Sequence, residues 1–178
     1  MRKTETETNN YRSQYWGLMA KKNWAKGRAA EKIVEEMFEE LGFSVHKYGV
    51  EHSLPSFSKL LRKRKKKTHT KIEKKISTMP DFVVDHEKKG TFFIEVKYSK
   101  DGELKPPTDY QHEGTFFVVI SKKFIQCISI SEYEEGCRIN DDEYQREFLL
   151  GYRNEFDFNV DERATIRKYH KRSAEEIY

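Results

Sequence analysis

Apolar positions along the chain alternate between two periods, and the switches between them mark the elements. From Gly27 to Leu41 (GRAAEKIVEEMFEEL), Ala30, Ile33, Val34, Met37, Phe38 and Leu41 recur at helical spacing and form one stripe. Gly42 and then Phe43 follow the last turn, the pattern of a helix that stops at a left-handed glycine. An earlier helix is predicted over Ser13–Trp24. Phe43–Gly49 (FSVHKYG) reads as a short strand. Residues 50–79 carry little apolar periodicity and are predicted to be loop.

The densest strand signal comes next. Asp81–Asp85 (DFVVD), a turn HEKKG and Thr91–Ser99 (TFFIEVKYS) predict an antiparallel hairpin, with Pro80 just ahead of the first strand, where its missing N–H does least harm. Residues 100–114 contain Gly102, Pro106, Pro107 and Gly114 and read as loop. Thr115–Ser121 (TFFVVIS) reads as a buried strand, and Lys123–Ser131 (KFIQCISIS), which alternates, as a half-exposed one. Leu149–Tyr152 and Phe156–Val160 suggest a small hairpin. A C-terminal helix is expected to start at an Asp161 cap, with acids early and bases later. The sum is an α/β chain with a mixed central sheet flanked by helices. It divides into an N-terminal extension (1–26), a core (27–131) with a basic insertion (55–79), and a C-terminal hairpin and helix (132–178).

Composition adds limits. Charged residues are 36% of the 178, yet Phe 12, Tyr 10 and Trp 2 supply enough aromatic surface for a packed core. No apolar run approaches the ~20 residues that span a bilayer. The opening MRKTETETNNYRSQ has no hydrophobic signal region and is expected to fray. The expectation is an intracellular protein, cytoplasmic or nucleoid-associated, with no membrane partner. Cys127 and Cys137 form no CxxC pair, and His46, His52, His86, His112 and His170 are scattered, so a zinc centre is not indicated. No phosphate-binding glycine loop or GxSxG elbow is present.

The net charge of +4 is unevenly spread. Residues 62–75 (RKRKKKTHTKIEKK) hold nine Lys/Arg and one Glu. The rest of the chain is therefore net negative, and the basic character is local. Arg62, Lys63, Arg64, Lys65, Lys66, Lys67, Lys71, Lys74 and Lys75 are candidates for neutralising a nucleic-acid backbone without reading its sequence. A solvated loop or a localisation signal are the alternatives.

On the strand Thr91–Ser99, Phe92, Ile94, Val96 and Tyr98 share one face and Phe93, Glu95 and Lys97 the other. Glu95 and Lys97 then lie ~7 Å apart along the strand. Hairpin pairing brings Asp81 towards Glu95. Two carboxylates at one end of a sheet repel unless a cation lies between them, and a hard ion such as Mg²⁺ or Mn²⁺ suits carboxylate oxygens. The alternative is a plain solvated ion pair between Glu95 and Lys97, worth under ~1 kcal/mol. Glu31 lies on one flank of the helical stripe and Glu40 on the other, and geometry alone gives them equal claim to face the sheet edge. Gln111 reads as an ordinary loop glutamine.

The order Gly27-x-x-Ala30-Glu31, a helix ending in Gly42-Phe43, Met79-Pro80-Asp81-Phe82 and Phe93-Ile94-Glu95-Val96-Lys97 resembles the PD-(D/E)xK nuclease superfamily, in the flavour of archaeal Holliday-junction resolvases and related small endonucleases. The resemblance covers about residues 27–131. It implies a restriction-endonuclease-like core and metal-dependent hydrolysis of phosphodiester bonds in DNA by an endonuclease, with branched DNA among the candidate substrates. It implies Asp81 and Glu95 as metal ligands for Mg²⁺ or Mn²⁺, the Val96 carbonyl as a further one, Lys97 as the catalytic lysine and Glu31 as the helix acid completing the site. It also implies a homodimer. The competing expectations are a non-catalytic nucleic-acid-binding module of the same fold and an RNA-directed nuclease.

Overall fold

A computed structural model describes residues 5–63, 70–106 and 110–178, with side chains described for 23–59, 70–106 and 110–178. Arg64, Lys65, Lys66 and Lys67 lie outside the described residues, as do the side chains of Arg62 and Lys63.

The six apolar positions of the first stripe, Ala30 to Leu41, are all buried. They belong to one helix, α1 (Glu5–Glu40), which takes in both predicted helices and most of the N-terminal stretch expected to fray. Gly27 does not interrupt it. Its Cβ position faces open space, and one glycine costs about 1 kcal/mol against a helix anchored by packing further along. The stop occurs as expected. Gly42 has φ +86°, its N–H donates to Glu39 O, and the Phe43 N–H donates to Phe38 O at 3.0 Å. Phe43 then packs edge-on against Phe38, which fixes how the chain leaves the helix.

β1 (Ser44–Lys47) follows. The stretch expected to be loop instead holds α2 (Val50–Ser53), α3 (Pro55–Lys63) and α4 (Lys71–Ser77). These helices are short, and α2 and α4 bury none of their residues, so periodicity over a long window could not reveal them. Local capping does. Thr70 accepts from the Glu73 N–H, and the Glu73 carboxylate accepts from the Thr70 N–H, a reciprocal start to α4.

The hairpin is β2 (Phe82–His86) and β3 (Gly90–Tyr98), antiparallel, with Phe82 opposite Ile94. β4 (Thr115–Ile120) runs parallel to β3, and β5 (Ile125–Ser129) antiparallel to β4. The order in the five-stranded mixed sheet is β1-β2-β3-β4-β5. β5 is buried rather than half exposed, apart from its last residue, because α5 (Ile130–Glu134) and the segment after it cover the face that alternation assigned to solvent. The expected hairpin near 149–160 is a run of 3₁₀ turns at Arg146–Phe148, Leu150–Tyr152 and Asn154–Phe156. Phe156 and Phe158 are buried and stack in parallel at 5.4 Å, anchoring the turns in the core without strand pairing. The last helix, α6 (Val160–Ile177), is capped by Asn159 rather than Asp161, with Glu162 closing the reciprocal bond.

One face of the sheet is packed on helices, and the other is covered over β4 and β5. Ile94, Val96, Val118 and Ile120 pack with the α1 stripe, with Phe156 and Phe158, and with Ile166, Tyr169 and Ile177 of α6. The other face packs Phe117, Val119 and Ile128 with Leu104, Ile130 and Ile139. Cys127 is buried and Cys137 half-buried, and neither forms a disulfide. Among the described residues no helix is long and apolar enough to cross a membrane.

Candidate active site

Asp81 sits one residue before β2, so the β2–β3 register carries it to the level of Glu95. Its backbone and side chain are both engaged. The Asp81 carbonyl accepts from the N–H groups of Tyr48 at 2.8 Å and Gly49 at 3.3 Å. Its Oδ2 accepts from the Val96 N–H at 2.8 Å. The bond fixes the carboxylate beside β3. Gly49 stands close by, its Cβ position 3.8 Å from the Asp81 Cα, so a side chain there would meet the acid's own backbone.

Glu95 is 8% exposed, yet it lines a cleft of about 590 Å³ together with Glu31 and Asp81. Its Oε1 accepts from the Lys97 Nζ, so the two residues separated by one position on the strand are in direct contact. Glu31 lines the same cleft from α1 and pairs loosely with Arg28 at 3.8 Å. Glu40, its rival by helical geometry, faces α6 instead, where it accepts from Lys168 at 2.6 Å and from the Tyr169 hydroxyl at 2.9 Å.

Asp81 acts on both of the other acids. Burial pushes the Glu95 carboxyl up to about 7, the nearby Asp81 charge adds to this, and Lys97 opposes it. Burial also raises Asp81, against the Val96 N–H and Lys97. Glu31 is raised by burial first and by Asp81 next, with Arg28 pulling it back. Negative charge is thus costly in this cleft, the condition expected where carboxylates await a cation or hold a functional proton.

Two further cleft residues come from the stretch read as loop. α2 places Glu51 and His52 on the wall opposite α1. Glu51 raises both Asp81 and Glu31, and His52 lowers Asp81. No periodicity marks a one-turn helix, and the signal lay only in an acid and a histidine directly after a strand that ends in glycine.

The donor set is of the kind a hard cation takes, carboxylate oxygens from three segments. As they stand, Glu95 is turned onto Lys97 and Asp81 onto the Val96 amide. Among the described residues no group of three or more His, Cys, Asp or Glu side chains is arranged to hold a metal ion. Val96 enters the site through its N–H.

Of the basic segment, Lys71, Lys74 and Lys75 are described, on α4. Lys71 and Lys75 are solvent-exposed, and the chain just after them, at Ser77 and Met79, forms part of the cleft wall. The His112 Nε2 lies 2.7 Å from the Lys75 carbonyl, which ties the end of α4 to the loop before β4.

No protein-family model matches the sequence, and no curated protein or solved structure matches it.

Proposed function

We propose that the protein is a divalent-metal-dependent nuclease that hydrolyses phosphodiester bonds in DNA, with the PD-(D/E)xK arrangement and a restriction-endonuclease-like core. The observation that carries the reading is the convergence of Glu31, Asp81 and Glu95, from three separate segments, on one cleft in which burial raises all three and the Asp81 charge raises the other two further.

Asp81, Glu95 and Glu31 would hold Mg²⁺ or Mn²⁺, and Glu95 would exchange its contact with Lys97 for the ion. The cation, when bound, supplies charge to the phosphate oxygens and acidifies a water. The remaining work belongs to the chain. The Val96 N–H keeps Asp81 in place. Lys97, freed from Glu95, orients the attacking water and offsets charge on the phosphate. The acidic interior resists a polyanion, so approach depends on cations at the rim, where Arg28, Lys32 and Lys47 line the cleft and α4 brings its exposed lysines next to the wall at Ser77 and Met79.

Calorimetric titration with Mn²⁺, followed by cleavage of duplex and branched DNA in Mg²⁺, Mn²⁺ and EDTA, tests this. Metal binding and divalent-dependent cleavage are expected, and full cleavage by Glu95→Ala would remove the mechanism. A second reading, a non-catalytic nucleic-acid-binding module, is favoured by the closed Glu95–Lys97 contact and the lack of a gathered ligand set among the described residues. Absence of Mn²⁺ binding supports it.

A further inference from the structure

Among the described residues most large apolar side chains are packed, but Trp24 is 70% exposed, as are Ile72 and Val160 to a similar degree. It lines the mouth of the same cleft that holds the three carboxylates. Trp24, Arg28, Glu31 and Glu35 are spaced by four, three and four residues, so they form one stripe on α1. All four line the cleft. The Arg28 guanidinium lies 5.6 Å from the centre of the Trp24 ring, and Lys32 and Lys47 complete the cationic part of the wall.

The stripe is polarised. Its outer end offers an indole with a guanidinium over it, and its inner half offers the carboxylates of Glu31 and Glu35. Seven residues of helix separate Trp24 from Glu31, which is ~10 Å of rise. That is roughly three nucleotide steps at the ~3.4 Å spacing of one strand. An indole beside an arginine is a surface on which an unpaired base stacks, while a base inside a duplex has both its faces covered by neighbours. An exposed tryptophan gains nothing from passing phosphates alone.

We propose that Trp24 and Arg28 form a stacking platform for an unpaired base at the mouth of the cleft. The preferred substrate is then DNA with a single-stranded stretch adjoining the bond that is cut. This rests on the nuclease reading and narrows its substrate class. Trp24 binds and positions the strand and takes no part in the chemistry, and Arg28 holds the indole and meets the neighbouring phosphate.

The test uses the full chain in EDTA at low ionic strength, with labelled single-stranded and blunt duplex DNA of one length titrated by anisotropy. Base–aromatic stacking is worth about 1–3 kcal/mol, so Trp24→Ala should weaken single-strand binding by ~5- to 150-fold. Duplex binding should change less than about twofold, and Trp24→Phe should restore most of the loss, because either ring can stack. Because Trp24 is exposed, the variants keep the core intact. An equal loss on both probes, no loss on either, or no binding of either probe by the unaltered protein overturns the proposal. Cleavage of the same strands in Mg²⁺ is read separately. If Trp24→Ala loses single-strand affinity while the unaltered protein cleaves nothing, the nuclease reading fails and the platform stands. If cleavage occurs and duplex is cut as well as single strand by both proteins, the platform fails and the nuclease reading stands.

Discussion

The two faces of β3 divide the packed core from the proposed chemistry. Ile94 and Val96 point into the cluster shared with α1 and α6 and are buried among carbon. Glu95 and Lys97, on alternate positions of the same strand, face the cleft and each other. One face gains free energy from burial. The other holds a carboxylate that burial penalises. A strand that only had to fold would put an apolar residue at position 95, so the difference locates where stability has been given up, the pattern expected if the proposed site is functional.

The comparison can be broken from either side. The largest effect should come from the apolar face. Phe38→Ala empties a fully buried site under the sheet and should cost about 3–5 kcal/mol in urea unfolding. If it costs under about 1 kcal/mol, the helix face is not the main source of stability. On the other face, Asp81→Asn keeps the shape and removes the charge. Cleavage should fall ~10²–10³-fold, several kcal/mol of transition-state stabilisation, while the unfolding midpoint does not drop. A fall in both together would erase the division between the faces.

A smaller and oppositely signed effect sharpens the contrast. Glu95 in the folded chain holds its proton up to about pH 7, above its ordinary value. The folded state therefore binds more protons than the unfolded state between about pH 4.5 and 7. Stability from this group is present below that window and is lost as pH rises through it. Glu95→Gln removes the penalty, so at pH 8 it should be more stable than the unaltered protein by about 1–3 kcal/mol, with the gain shrinking towards pH 5. Thermal melts at the two pH values decide it, and a variant less stable at pH 8 would refute the assignment of strain to Glu95. The smallest effect belongs to the rim. Lys71→Ala with Lys75→Ala should weaken DNA binding by a few-fold and flatten its dependence on salt, without altering the melts. An unchanged salt slope would remove α4 from the interface.

The apolar face was legible in the sequence and the cleft only in part, for a physical reason. The α1 stripe, the Gly42-Phe43 stop and the β2–β3 hairpin each rest on periodicity or on a turn that few sequences can make. Glu95 and Lys97 were placed correctly because a strand has a strict two-residue alternation. Asp81 followed from the hairpin register. Choosing Glu31 over Glu40 needed α6, whose Lys168 and Tyr169 engage the rival acid, and no local pattern carries that information. Glu51 and His52 were missed because α2 is one turn long and buries none of its residues. The 3₁₀ turns were read as strands because Phe156 and Phe158 are apolar and alternate, and alternation does not separate a strand from turns pinned in a core.

In the sheet each strand lies beside its neighbour in sequence. That order bears on how the molecule assembles in time. Asp81 and Glu95 are fourteen residues apart and meet when one hairpin closes, an inexpensive loop that can form early on the folding pathway. Glu31 is fifty residues from Asp81 and reaches the cleft only when the long helix docks. Loop closure alone therefore favours forming the first two acids as a pair ahead of the third, which has the longer span of chain to close.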